Sequence, residues 1–201
     1  MTQIYFIRHA EPDFSDHDDL TRALTEKGRR DTARVTAFLA DKDVDAVLSS
    51  PYRRAVDTVQ PFAAQAGLEI ETVWDFRERR VDSEWIEDFN AFSRQQWADF
   101  SYKRLDGETL GEVQARNIAA LREVLRRFGG KTVAVGSHGT ALSTIINYFD
   151  PTFGYEDFER IRGKMPWAVR FVFEGNICVT LEEHDLFSGE AAERKIGRNN
   201  L

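Results

Sequence analysis

Two of the chain's four histidines stand in matched surroundings. His9 follows the apolar run Ile4-Tyr5-Phe6-Ile7 and then Arg8. His138 follows Thr132-Val133-Ala134-Val135, then Gly136-Ser137. Each is succeeded by a small residue, Ala10 or Gly139. Imidazole is the side chain whose charge changes closest to neutral pH, and it can serve as nucleophile, acid or base. Two imidazoles at strand ends, with Arg8 beside one of them, fit an anionic substrate and nucleophilic or acid–base chemistry. In an open α/β sheet such groups meet outside the carboxyl ends of parallel strands. The rest of the chain must therefore build that sheet.

Strand and helix signals alternate as required. Residues 4–7 are continuously apolar, as in a strand buried on both faces. A helix runs from about 24 to 40 with Val35, Phe38 and Leu39 facing inward. Residues 46–48 form a second buried strand, which enters Ser49-Ser50-Pro51, and the proline suits a helix start. That helix turns Ala55, Val56, Val59, Phe62 and Ala63 inward and ends at Gly67. Residues 68–73 make a third, shorter strand. Leu110, Val113, Leu121, Val124, Leu125 and Phe128 define an amphipathic helix stopped by Gly129-Gly130. A strand at 132–135 and a short helix at 140–148 follow. Residues 169–173 and 177–181 alternate around Gly175-Asn176, a hairpin that closes one edge of the sheet. The expected fold class is α/β: a three-layer sandwich with a mostly parallel central sheet and helices on both faces.

Residues 75–109 interrupt the alternation with charge and aromatic rings. A helical insertion at about 80–105 is expected, with Ile86, Phe89, Trp97 and Phe100 near one face. Its rings read first as the insertion's own core. The sharper reading lets one or two of them wall a pocket. Residues 185–201 are polar and read as a loosely held tail. There is no internal repeat or linker, so residues 1–201 are expected to form a single domain.

Composition narrows the function. Lys plus Arg number 27 against 34 Asp plus Glu, a net charge of −7. General nucleic-acid or membrane-surface binding needs a basic face, so neither is expected. A local arginine cluster can still take a phosphorylated substrate. One cysteine, Cys178, gives no disulfide framework, and no clustered Asp/His set suggests a metal. With no leader-like segment and no apolar run near ~18 residues, a cytoplasmic setting is expected.

At this point the residues resemble a known family. Arg8-His9-Ala10-Glu11 resembles the Arg-His-Gly-Glu signature of the histidine phosphatase superfamily, branch 1, which includes phosphoglycerate mutase-like proteins. Leu24-Thr25-Glu26-Lys27-Gly28 is similar to that family's Leu-Thr-x-x-Gly segment. Ser49-Ser50-Pro51-Tyr52-Arg53-Arg54-Ala55 is similar to its Ser-Ser-Pro-Leu-x-Arg-Ala segment. Arg77-Glu78-Arg79 resembles the segment that supplies an acid, and Gly107-Glu108-Thr109 with Arg116 the Gly-Glu-Ser…Arg element. Ser137-His138-Gly139 resembles the second histidine motif. The segments occur in family order from residue 4 to about 143.

The resemblance implies roles. His9 is the nucleophile that takes the phosphoryl group. Arg8 and Arg54 bind phosphate oxygens with planar forks of donors. His138 is a further catalytic donor, and the Gly139 N–H adds an anion contact at a helix start. Glu78 is the general acid and then the base, with Glu84, Glu87 and Glu108 as nearby alternatives. Ser15 and Arg79 are candidate substrate contacts; Arg79 and Arg80 read equally as a charged surface turn. Arg53 reads as solvated, Arg116 as a structural ion pair, and His17 and His184 as exposed or structural. No metal and no cofactor are implied.

The expected activity is metal-independent hydrolysis of a small phosphate monoester through a phosphohistidine. One alternative is phosphoryl transfer of the cofactor-dependent phosphoglycerate mutase type; another is a non-catalytic phospho-ligand sensor. Ala10 departs from the family's glycine, and Asp82 stands where glycine is common, so substrate specificity does not transfer. The oligomeric state is not legible in the sequence.

Overall fold

The computed structural model describes residues 1–82, 86–197 and 201. Seven strands form one sheet: β1 (Thr2–Arg8), β2 (Ala46–Ser49), β3 (Ile70–Thr72), β4 (Thr132–Ser137), β5 (Trp167–Glu174), β6 (Ile177–His184) and β7 (Ala191–Glu193), in the order β3-β2-β4-β1-β5-β6-β7. The first four are parallel neighbours, and the pairings β1·β5, β5·β6 and β6·β7 are antiparallel. The sheet is therefore mixed: β3-β2-β4-β1 form its parallel part, and the antiparallel pairings all lie on the β5 side of β1. The 177–181 strand was expected at the sheet edge. Residues 191–193 pair outside it, because β6 still offers a row of unpaired backbone groups.

Helices cover both faces. α1 (Glu26–Leu39) and α2 (Arg53–Ala66) bury Val35, Leu39, Val59, Phe62 and Ala63 against Tyr5, Ile7 and Val47. On the other face lie α4 (Leu110–Arg127), α5 (Gly139–Phe149) and α6 (Tyr155–Ile161), packed over Phe6, Val133, Val135, Phe171 and Phe173. Residues 4–7 of β1 and 133–135 of β4 are continuously apolar because both faces are covered. α4 begins with a capping box: Thr109 Oγ1 accepts the Glu112 N–H at 2.9 Å, and Glu112 Oε2 accepts the Thr109 N–H at 2.8 Å.

The Leu24-to-Gly28 segment has a local physical reason. Thr25 caps α1, accepting the Gly28 N–H at 2.9 Å and donating to Glu11 Oε1 at 2.8 Å. A Cβ at Gly28 would lie 2.2 Å from the Glu11 carbonyl oxygen. Only glycine lets α1 seat this closely on the segment that leaves the first histidine.

The insertion carries one described helix, α3 (Phe89–Ala98). Some of its rings pack on one another, Phe92 on Phe89 and Tyr102. Trp97 packs on Phe100, Phe153 and Phe158 and joins the main core. An indole reaching over α6 finds more apolar surface there than one short helix can supply. Part of the C-terminal segment is tied down, with Asp185 paired to Lys164 at 2.7 Å and residues 191–193 on β6. Beyond β7, Arg194 ion-pairs Asp150, Asp157 and Glu183 at 2.7–2.9 Å.

Candidate active site

Register brings the two histidines together. β4 lies between β2 and β1, with Arg8 opposite Ser137 and Ser49 opposite Gly136. One residue on, the His9 N–H donates to the Ser137 carbonyl at 3.0 Å, and the Ser50 N–H to the Gly136 carbonyl at 2.8 Å. The His9 and His138 rings consequently sit edge to face, 5.2 Å between centroids. Both are buried.

Each ring has a defined orientation. His9 Nδ1 lies 2.7 Å from the Ala10 carbonyl oxygen, which can only accept. Nδ1 therefore carries the proton, and Nε2 holds the lone pair. Burial, then the charges of Arg54, Arg8 and Arg22, push the His9 pKa well below 6.5, so the ring is neutral at pH 7. His138 is depressed in the same way, first by burial and then by Arg54. Its Nε2 lies 2.7 Å from Ser50 Oγ, which also accepts the Tyr52 N–H at 3.3 Å. When the Ser50 hydroxyl donates to Nε2, the His138 proton sits on Nδ1, a buried nitrogen without a protein partner among the described residues.

Cations ring the pair. Arg54 is 2% exposed; it stacks 5.0 Å over the Tyr52 ring and donates to the Asp19 carbonyl at 2.7 Å. Arg8 is buried, and burial brings its pKa down to about 10 against the pull of Glu78, so it stays cationic at pH 7. Its Nη atoms donate to the carbonyls of Ile161, Arg162 and Lys164 at 2.6–3.3 Å, as a cation does past a helix C-terminus. Its Nε has no protein partner among the described residues. A Cβ at Gly139 would come within 3.1 Å of this guanidinium, so glycine is what lets the two approach.

Glu78 is held where α5 begins. Oε2 accepts the Thr140 N–H at 3.0 Å, while Oε1 accepts those of Ala141 at 3.1 Å and Arg79 at 2.8 Å. Arg116 fixes the backbone beneath, donating to the carbonyls of Asp75, Arg77 and Glu78 at 2.7, 2.8 and 3.2 Å. It also pairs with Glu108, the ion pair expected from sequence. Two guanidinium donors, one neutral imidazole with an available lone pair, one imidazole N–H and one carboxylate thus meet at one sheet edge. This set can hold a phosphoryl group and transfer it.

Comparison with known proteins gives the same answer. Residues 4–179 match the histidine phosphatase superfamily (branch 1). The chain belongs to that family. It is 26% identical over 151 residues to the phosphatase PhoE of Bacillus subtilis, covering 73% of this chain and 76% of that one. The fold is similar to Bacillus stearothermophilus YhfR, with a TM-score of 0.74 at 24% identity over 87% of this chain and 93% of the other. It is also similar to a mycobacterial glucosyl-3-phosphoglycerate phosphatase, with a TM-score of 0.72 at 18% identity over 99% of both chains.

Other expected site residues of this histidine phosphatase differ in their surroundings. Ser15 is exposed, and its hydroxyl donates to Asp13 at 2.7 Å within a local turn. Arg79 is not a surface turn. It is 2% exposed, lies over Phe89 and Phe92, and donates to Gln96. Glu108 is engaged by Arg77, Arg116 and the Arg80 N–H; burial raises its pKa, but those partners bring it below the usual range. Such a paired carboxylate is a poor proton donor. Glu87 is exposed, and Glu84 lies outside the described residues. Gly139 opens α5, but Glu78 takes the next two N–H groups.

Sequence reasoning missed Ser50, Tyr52, Asp19, Arg22 and Thr58, whose Oγ1 accepts the Ala10 N–H at 3.0 Å. A threonine one helical turn after Arg54 was a signal for the last.

Buried neutral histidines make a testable statement about pH. The unfolded chain binds protons at His9 and His138 below about 6.5, whereas the native chain does not. Half-buried His184 acts in the same direction. Stability should therefore fall as pH drops from 7 toward 5.5, as up to about three protons become bound preferentially by the unfolded state. Thermal melts across this interval check it, and a flat profile would show that the imidazoles are not buried neutral.

Proposed function

We propose that this protein hydrolyses small phosphate monoesters through a phosphohistidine at His9, with the whole chain acting as one domain. The observation that carries the reading is the His9 tautomer. The Ala10 carbonyl holds the proton on Nδ1, which leaves Nε2 as a nucleophile among guanidinium groups. Nε2 attacks phosphorus while the bond to the leaving oxygen breaks. Glu78 gives that oxygen its proton. As carboxylate it then takes a proton from water, whose oxygen attacks phosphorus and expels neutral His9. Arg8 Nε, Arg54 and the His138 Nδ1–H hold the equatorial oxygens and stabilise the charge that spreads over them. Lone, buried Cys178 supports a reducing cytoplasmic setting.

Because guanidinium groups do the neutralising that a metal does in other phosphoryl-transfer sites, chelators should leave the rate unchanged. p-Nitrophenyl phosphate should turn over at mildly acidic to neutral pH with or without a chelator. Strict dependence on an added divalent cation would sink the mechanism. A panel of phosphorylated metabolites then names the alcohol half. Failure on every ester would turn the reading toward a phospho-ligand sensor, and isomerisation with a bisphosphorylated primer would turn it toward a mutase.

A further inference from the structure

Asp19 is a carboxylate placed on two cations of the site. Its Oδ1 lies 3.2 Å from Arg54 Nη2 and 3.0 Å from Arg22 Nη1. The side chains differ sharply in exposure: 43% for Asp19 against 3% for Arg54 and 15% for Arg22. The anion thus enters from the solvent side and covers two guanidinium groups facing inward. Arg22 also donates through Nε to the Asp16 carbonyl at 2.5 Å, which fixes its fork. Its positive charge is felt at both His9 and Arg54.

We propose that Arg22 is a third phosphate-binding arginine, and that Asp19 is an internal anion covering Arg22 and Arg54 until the substrate's phosphoryl group displaces it. The inference rests on the phosphatase reading. A phosphoryl dianion carries more charge and more acceptor oxygens than one carboxylate, so it suits a pair of forks better. Release of Asp19 needs only side-chain rotation. Its backbone carbonyl still accepts from Arg54, and the loop keeps its own turns: Asp18 Oδ1 accepts the Leu20 N–H at 2.8 Å, and the Leu20 carbonyl accepts the Arg53 N–H at 3.0 Å. A partly exposed ion pair is also weak enough to exchange.

The test uses the full chain, with p-nitrophenyl phosphate as substrate and inorganic phosphate as competitive inhibitor. Asp19→Asn removes the competing charge, so KM and the phosphate Ki should fall by about two- to five-fold. Arg22→Gln should raise both by about 10- to 100-fold, the size of a lost charged hydrogen-bond donor. Arg22→Lys keeps the charge without the fork and should raise both by less, with the wild-type melting temperature. The opposite signs are decisive. If Asp19 and Arg22 only brace the loop and Arg54, both variants weaken phosphate binding together. Parallel changes, or a Ki unmoved by both Arg22 substitutions, overturn the inference while leaving the phosphatase reading intact. A wild-type protein that neither hydrolyses the ester nor is inhibited by phosphate ends both.

Discussion

His9→Ala should lose turnover by on the order of 10⁴–10⁶-fold, the usual consequence of deleting a covalent nucleophile. With labelled substrate and rapid quench, wild type should yield an acid-labile, alkali-stable phosphoprotein, and the variant none. The effect is large because nothing nearby can substitute. His138 faces the same space, but the Ser50 hydroxyl occupies its Nε2. The fold should survive, since the change removes a buried ring whose side-chain hydrogen bond is to the neighbouring carbonyl, not to another element. A native melting profile with no trapped label is the expected pair of results. Label recovered on a serine or an aspartate would refute the phosphohistidine.

Glu78→Gln should slow hydrolysis of alkyl phosphates by roughly 10²–10⁴-fold, the range of general acid catalysis. In single-turnover phosphorylation, p-nitrophenyl phosphate should lose far less, because nitrophenolate leaves without a proton. Phosphoenzyme should then accumulate, since its hydrolysis still needs the carboxylate as base. Glutamine is not a silent replacement here. Three backbone N–H groups converge on the two carboxylate oxygens, and the amide nitrogen cannot accept from any of them. With Oε1 kept as oxygen, the new NH₂ faces the Thr140 N–H, at a cost of about 1–3 kcal/mol for the unsatisfied donor. Melting temperature must therefore be read beside the rates. Equal loss on both esters in the phosphorylation step would make Glu78 a positioning residue only.

The sequence by itself determined the matched histidines and the strands that carry them, which are local properties: an apolar run with a polar end. The choice of Arg54 over Arg53 came from the register of the family's Ser-Ser-Pro-Leu-x-Arg-Ala segment. The structure agrees with them in detail, with Arg54 buried and Arg53 exposed beside Asp57. The family was legible for the same reason, since its motifs are short and lie where strands meet helices.

Tertiary structure alone decided how the site is held. Ser50 reaches His138 only because β2 and β4 are neighbours in the sheet. Arg116 braces Glu78 across 38 residues, and carbonyls at and just past the end of α6 take the Arg8 guanidinium, which no spacing rule predicts. Trp97 left the insertion for the main core, and residues 191–193 found an open strand edge. Asp19 met Arg54 across 35 residues through one loop's path. Periodicity tells which face a side chain takes, but a partner distant in sequence is fixed only when chain topology brings the two surfaces together.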